Sequence, residues 1–202
     1  GTVQSLVVTR LPKSYGYSPV TDIQVLCPGR KGELGTVERN RKLREQINPP
    51  AKNKPQVTVN GTVFRVGDKV MQTKNNAKAS NGDIGYIRKM GRNAKNEMVV
   101  TIEFSGDRIA EYGMEEMGHM ELAYATTVHK AMGSEFDIVI MPILSSHYIM
   151  LNRNIVYTAI TRAKEQVIPV GQKKALIMAI LKKATGKRNT QLGERIGKYL
   201  KA

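Results

Sequence analysis

Disulfide chemistry is closed to this chain, because its 202 residues include one cysteine, Cys27. An internal bridge and a CxxC metal site are both excluded, which fits a reducing, cytoplasmic setting. Cys27 itself reads as a packing residue at a strand end. Long apolar runs are missing too. The longest, Ile138 to Leu144, contains Pro142 and falls far short of the roughly 20 residues of a membrane-spanning helix, so no membrane partner is expected. The N-terminus, Gly1-Thr2-Val3, lacks the basic region and apolar core of a signal peptide. Repeats and low-complexity tracts are absent. Acidic residues are scarce, with 17 Asp and Glu against 32 Lys and Arg and a formal charge of +15. That excess favours a polyanionic partner, nucleic acid first, but it selects a partner and not an activity, since structural RNA-binding proteins share it. Finally, no Gly-x-x-x-x-Gly-Lys-Ser/Thr sequence occurs. Gly186-Lys187-Arg188 lacks the upstream glycine and the hydroxyl that would bind Mg²⁺. No Asp-Glu pair closes an apolar strand, and Glu115-Glu116 lies in a polar stretch.

What is present alternates between two textures. Val3, Leu6, Val7 and Leu11 recur at roughly helical spacing before Gly16 and Pro19, predicting a short helix. Ile23 to Leu26 is a compact apolar run closed by Cys27-Pro28-Gly29, the pattern of a buried strand. Glu33 to Gln46, with Leu34, Val37, Leu43 and Ile47 on one side, predicts a helix stopped by Asn48-Pro49-Pro50. Between Asn53 and Gly118 the short runs Gln56–Val59, Lys69–Gln72, Gly85–Ile87 and Met98–Ile102 are separated by Asn60-Gly61, Asn81-Gly82 and Ser105-Gly106. Strands at that spacing with hairpin-type turns predict a small antiparallel barrel. Beyond it, Glu121–Val128, Phe136–Ile143 and Gln166–Val170 read as strands, with helices over Asn152–Arg162 and Gln172–Lys183. The expected architecture is one α/β domain, residues 1–52 and 119–202, interrupted by an inserted barrel, residues 53–118.

Three stretches carry chemistry. In Ala125-Thr126-Thr127-Val128-His129-Lys130-Ala131-Met132-Gly133-Ser134-Glu135-Phe136, Thr127 and His129 offer short hydrogen-bonding groups and Lys130 a point charge, suited to the phosphates of a single strand. Gly133 lets the backbone pass close to a ligand, and Glu135 can accept from a hydroxyl. In Asn152-Arg153-Asn154-Ile155-Val156-Tyr157-Thr158-Ala159-Ile160-Thr161-Arg162-Ala163, a helix would point Tyr157, Ile160 and Ala163 one way and leave Arg162 near its end, free to reach across a cleft. A guanidinium so placed can stabilise charge on a transferring phosphoryl group. Ile23 to Thr36 places Arg30 just beyond a strand end, where open α/β sheets bind ligands.

These stretches closely resemble motifs V, VI and IV of RecD-type superfamily 1 DNA helicases, and Phe64-Arg65-Val66-Gly67-Asp68-Lys69-Val70-Met71-Gln72 with Asn75-Asn76 and Asn81-Gly82-Asp83-Ile84-Gly85 resembles the SH3-like subdomain of that family. The resemblance runs from about Ile23 to Glu194. It implies a RecA-like motor domain of the P-loop NTPase type, here without its P-loop, interrupted by an SH3-like barrel. It assigns Thr127, His129 and Lys130 to single-stranded DNA, Gly133 and Glu135 to the nucleotide, and Arg162 to an arginine-finger role, with Arg30 as a second phosphate-sensing arginine. Lys74, Asn75 and Asn81 become candidate DNA-backbone contacts. One departure stands out: the family usually has Ser-Gln-Gly where this chain has Ala131-Met132-Gly133. By the same resemblance, ATP and Mg²⁺ are anchored mainly by a preceding RecA-like domain of the same protein, so this chain is expected to be the C-terminal part of a longer one and inactive alone. The whole is expected to translocate 5′ to 3′ on single-stranded DNA and to open duplex junctions, in repair or in DNA transfer. A basic nucleic-acid-binding module, with the barrel as binder and the α/β part as scaffold, is the alternative.

Overall fold

The computed structural model describes residues 1–30, 32, 35–182 and 199. Parts of the stretches read above, at Lys31, Glu33 and Leu34 and from Lys183 through Gly186-Lys187-Arg188 to Glu194, lie outside the described residues. The chain enters through α1 (Thr2–Ser5), which passes by a π-helical turn (Leu6–Arg10) into α2 (Leu11–Tyr15). Val3, Val7 and Leu11 are buried along one side of this composite helix, and Gly16 caps it in the left-handed conformation. It packs on a four-stranded parallel sheet of β1 (Ile23–Cys27), β9 (Ala125–Thr127), β10 (Phe136–Ile143) and β11 (Ala163–Gly171), in the order β11-β10-β1-β9.

Alternation along these strands feeds two cores. Ile23, Val25 and Cys27 with Ile138 and Ile140 face the N-terminal helix and α3 (Thr36–Ile47). Leu26 with Val139, Met141 and Ile143 faces α5 (Arg153–Ile160) and α6 (Lys173–Leu181). Burial on both faces explains why β1 is apolar at Ile23, Val25, Leu26 and Cys27 rather than alternating; the exception, buried Gln24, donates to the carbonyls of Val25, Ala123 and Tyr124. The sheet lies between two helical layers, the arrangement of an α/β domain with both faces of its parallel sheet covered.

The intervening segment is all strand except for one turn of helix. A hairpin of β2 (Gln56–Val59) and β3 (Thr62–Arg65) turns at Asn60-Gly61, both at positive φ, as a two-residue hairpin loop demands. A five-stranded antiparallel sheet then follows in the order β7-β6-β5-β4-β8. Its members are β4 (Lys69–Gln72), β5 (Ile84–Arg92), β6 (Met98–Phe104), β7 (Arg108–Gly113) and β8 (Met120–Leu122), with the short α4 (Met114–Met117) between β7 and β8. Phe64, Val70, Ile87, Val100, Ile102, Phe104 and Tyr112 form its core.

Polar side chains seal the insert to the motor-type sheet. Asn40 of α3 donates to the carbonyls of Leu122 and Ala125 and accepts from the Ala125 amide, each at 2.8 Å. Buried Asp68 accepts from Asn48, from the Arg65 amide and from the Tyr124 hydroxyl at 2.7, 2.8 and 2.9 Å. Lys69, 1% exposed, donates to the Ile23 carbonyl at 3.4 Å and lies over the Phe136 ring. Its amine is pushed down to about 7 by burial, with the Asp22 charge acting in the opposite direction.

Three local readings are corrected. Residues 121–128, read as one strand, contain two strands in different sheets, because the chain crosses from insert to motor-type sheet at Ala123-Tyr124. Helix α3 buries Arg39, Asn40, Leu43 and Arg44, and Val37 is exposed. Leu43 and Ile47 face the apolar core as expected, but the helix also covers the seam with the insert, where backbone groups need polar partners, so Asn40 and Arg44 turn inward and Val37 does not. On α5 the buried side is Ile155, Val156 and Ala159. Tyr157 and Ile160 are both exposed, as a shared side requires, and only Ala163 departs from the reading, having already entered β11.

Candidate nucleic-acid and nucleotide interface

All strands of the motor-type sheet run the same way, so its two edges are chemically distinct, and the candidate residues divide between them. At the C-terminal edge, β1 leads to Arg30 and β9 ends at Thr127. The Thr127 hydroxyl accepts from the Lys130 amide at 3.3 Å, and the Ala131 amide donates to the Thr127 carbonyl at 3.1 Å. This turn throws His129 outward, where it is exposed. Lys130 Nζ and Arg30 Nη2 meet on one carboxylate, that of Glu121, at 2.8 and 2.6 Å. A cavity of about 370 Å³ opens beside it between α3 and the β2–β3 hairpin, lined in part by Arg30, Arg41, Arg44 and Glu121.

At the N-terminal edge the chain re-enters the sheet through Gly133, Ser134 and Glu135. Gly133 and Glu135 are exposed and line a cavity of about 380 Å³ with Lys69, Asp83, Tyr86 and Arg108 of the insert. Arg162 follows α5 and precedes β11. Its Nη1 donates to the Ser134 carbonyl at 3.1 Å, and its own carbonyl accepts from the Phe136 amide at 2.9 Å. Among the described residues Arg162 Nε is buried without a partner, an orphaned donor in a group whose planar fork suits phosphate oxygens. Arg162, Gly133 and Glu135 thus gather at one edge, where the Arg162 guanidinium can donate to an anionic group and the Glu135 carboxylate can accept from a hydroxyl.

Arg30 does not join them. The length of β1 alone, about 13 Å for four residue steps, separates the two edges, and Arg30 is held by Glu121 while Arg162 is held by Ser134. Arg30 thus groups with Thr127 and Lys130 in this arrangement, and Arg162 with Ser134 at the other edge. The loop from Val128 to Glu135 is the link between the edges, and Met132 on it is exposed.

Lys74, Asn75 and Asn81 share the exposed β4–β5 loop. The Asn75 Oδ1 accepts from the Asn81 amide at 2.6 Å and the Lys74 carbonyl accepts from Gln72 at 2.6 Å, so Asn75 shapes the loop while the Lys74 ammonium stays exposed. That loop also touches the motor-type sheet's loop: a Cβ at Gly82 would stand 3.3 Å from the Lys130 carbonyl oxygen. Sequence reasoning missed Glu121 and Lys69. An acid between apolar neighbours and a lysine opening a short strand carry no motif signal, and only the pairing of β4 with β8 brings them to the seam.

Comparison with known proteins gives the following. Residues 40–104 match the family described as the ATP-dependent RecD-like DNA helicase SH3 domain, and residues 122–170 match the UvrD-like helicase C-terminal domain. The chain is 38% identical over 176 residues to the ATP-dependent RecD2 DNA helicase of Deinococcus radiodurans, a match that covers 86% of this chain and 23% of that protein. It is 29% identical over 165 residues to the RecBCD enzyme subunit RecD of Mycobacterium tuberculosis, covering 80% and 27%. Among solved structures, Pif1 helicase from Bacteroides in complex with ADP-AlF3 and ssDNA is similar with a TM-score of 0.57 and 18% identity, covering 99% of this chain and 49% of that one. Pif1 helicase from Candida albicans gives 0.52 and 12%, covering 98% and 53%. At such identities the likeness bears on fold alone. The chain spans about a quarter of the length of the curated relatives it matches.

Proposed function

This chain belongs to the RecD-type helicase family, and we infer that it is the second motor half of a longer ATP-dependent DNA helicase. Residues 1–52 and 119–202 are the RecA-like motor domain and residues 53–118 the SH3-like insert, with β8, just past that boundary, completing the insert's sheet. The missing half supplies the phosphate-cradling loop and the Mg²⁺ ligands. The observation that carries this reading is the loop from Val128 to Glu135, which joins a cationic strand-facing edge to an edge where Arg162 donates to Ser134.

ATP would supply the phosphoryl group whose hydrolysis drives the motor. Toward it, Arg162 presents its guanidinium and Glu135 accepts from the sugar hydroxyls, while Gly133 leaves room for the ligand's approach. Toward DNA, Thr127, His129 and Lys130 hold phosphates of the tracking strand, joined by Arg30 and, from the insert, by Lys74 and the Asn75–Asn81 loop. Movement of Ser134 with Arg162 is passed along the loop to Lys130, four residues away. Repeated closure against the first half then steps the protein along single-stranded DNA, 5′ to 3′, and separates the strands at duplex junctions, as soluble cytoplasmic chemistry serving DNA repair or transfer.

Assays on the 202-residue chain test the division of labour. ATP hydrolysis should stay at background, and single-stranded DNA should bind weakly, with log K falling by about 0.7 per phosphate contact for each decade of salt. DNA-stimulated hydrolysis by this chain alone would overturn the assignment, and so would salt-independent binding.

A further inference from the structure

The proposed strand-facing edge carries an acid that the grip does not explain. Glu121 accepts from Arg30 through one carboxylate oxygen and from Lys130 through the other. In a chain of net charge +15, a carboxylate at a phosphate-binding surface cancels attraction where it is most useful. Two anionic oxygens bridging a guanidinium and an ammonium reproduce, however, what a strand phosphate would present there.

The hold is suited to exchange. Arg30 engages Glu121 through one nitrogen, and among the described residues the rest of its fork has no partner; Lys130 Nζ engages Glu121 alone. The side chains of Arg30, Lys130 and Glu121 are 55%, 25% and 38% exposed, a setting in which ion pairs are weak and screened by salt. Thr126 lines the same small cavity as Arg30, Glu121, Thr127 and Lys130, is 4% exposed, and carries a buried hydroxyl with no partner among the described residues. The position of Glu121 is set by the insert, since β8 pairs it with Met71 of β4.

We propose that Glu121 is a built-in substitute for a strand phosphate, an assignment that rests on reading this edge as the strand grip. Without DNA its carboxylate keeps Arg30 and Lys130 side by side. A backbone phosphate of the bound strand takes their hydrogen bonds, and the carboxylate turns to water. The exchange keeps each grip weak enough to be released at the next step. Because Glu121 rides on a strand of the insert's sheet, the seating of the insert against the motor domain sets the strength of the grip.

The test uses the whole protein and a fluorescent oligo(dT), with binding measured across a potassium chloride series. Glu121→Gln should tighten binding and steepen the slope of log K against log salt by about 0.7 for each phosphate newly neutralised. Adding Lys130→Ala to Glu121→Gln should remove most of that gain, and Arg30→Ala or Lys130→Ala alone should weaken binding. Glu121→Ala, which leaves no amide to bridge the cations, should behave as Glu121→Gln does. If both Glu121 variants bind as wild type or more weakly while Lys130→Ala weakens binding, the strand grip stands and the substitute role is overturned. If Arg30→Ala and Lys130→Ala also leave binding unchanged, the reading of this edge falls and the proposal with it.

Discussion

Replacing Lys69 with methionine should stabilise the protein, by an amount that depends on pH. Lys69 ordinarily titrates at 10.5 and is held at about 7 in the fold, chiefly by burial. At about 1.4 kcal/mol per unit, that gap sets a ceiling of about 5 kcal/mol on the cost of keeping this amine inside. The sign follows from proton counts: between pH 7 and 10.5 the unfolded chain binds more protons at this site, so wild-type stability rises with pH through that window and levels off below it. Lys69→Met keeps the stem and removes the titrating group, giving up the bond to the Ile23 carbonyl, worth about 1 kcal/mol. The variant should therefore be more stable by about 3 kcal/mol at pH 7, and its advantage should shrink by about 2 kcal/mol at pH 9. Urea unfolding at the two pH values measures both quantities. A difference between wild type and variant that is the same at pH 7 and pH 9 would refute the reasoning, because packing changes alone do not titrate.

Two further outcomes follow from the fold. Cys27 is wholly buried, with its thiol pushed up to about 12 by burial, so it should resist iodoacetamide in the native protein at pH 8 and react once urea unfolds it; prompt native labelling, followed by mass spectrometry, would contradict the sheet's placement. At Gly171, φ is +148 and a Cβ would stand 1.8 Å from the Ile143 carbonyl oxygen, where β10 and β11 are paired. Gly171→Ala should therefore destabilise, by more than the roughly 1 kcal/mol that such a change gains where the backbone tolerates a side chain, read as a melting temperature lowered by several degrees.

Much of this architecture was legible because the signals were local. The apolar run at Ile23–Leu26 and the Asn60-Gly61 turn each depend on a few adjacent residues, and the structure has a strand and a hairpin there. The order of the motifs was local in the same sense and led to the family. What escaped was set by contacts distant in sequence. Val37 of α3 was placed inward by periodicity, but that helix covers a seam of backbone carbonyls and turns Asn40 and Arg44 to it. The break at Ala123-Tyr124 is invisible in a run that alternates like one strand, because it arises from the docking of two sheets. Arg30 lay beyond a strand end as expected; which edge it shared with which partner depended on Glu121, brought in from the far side of the insert.

Arg162 is the group proposed to meet the phosphoryl while Lys130 meets the strand. Its most direct test is the ATPase rate of the whole protein carrying Arg162→Ala, measured beside its affinity for single-stranded DNA and its melting temperature. The rate should fall by roughly 10³ to 10⁵ with strand affinity and melting temperature held, and Arg162→Lys should not restore it, because a point charge does not reproduce the planar fork. An ATPase near wild type in a folded Arg162→Ala protein would contradict the assignment and, with it, the coupling of the two edges of the sheet.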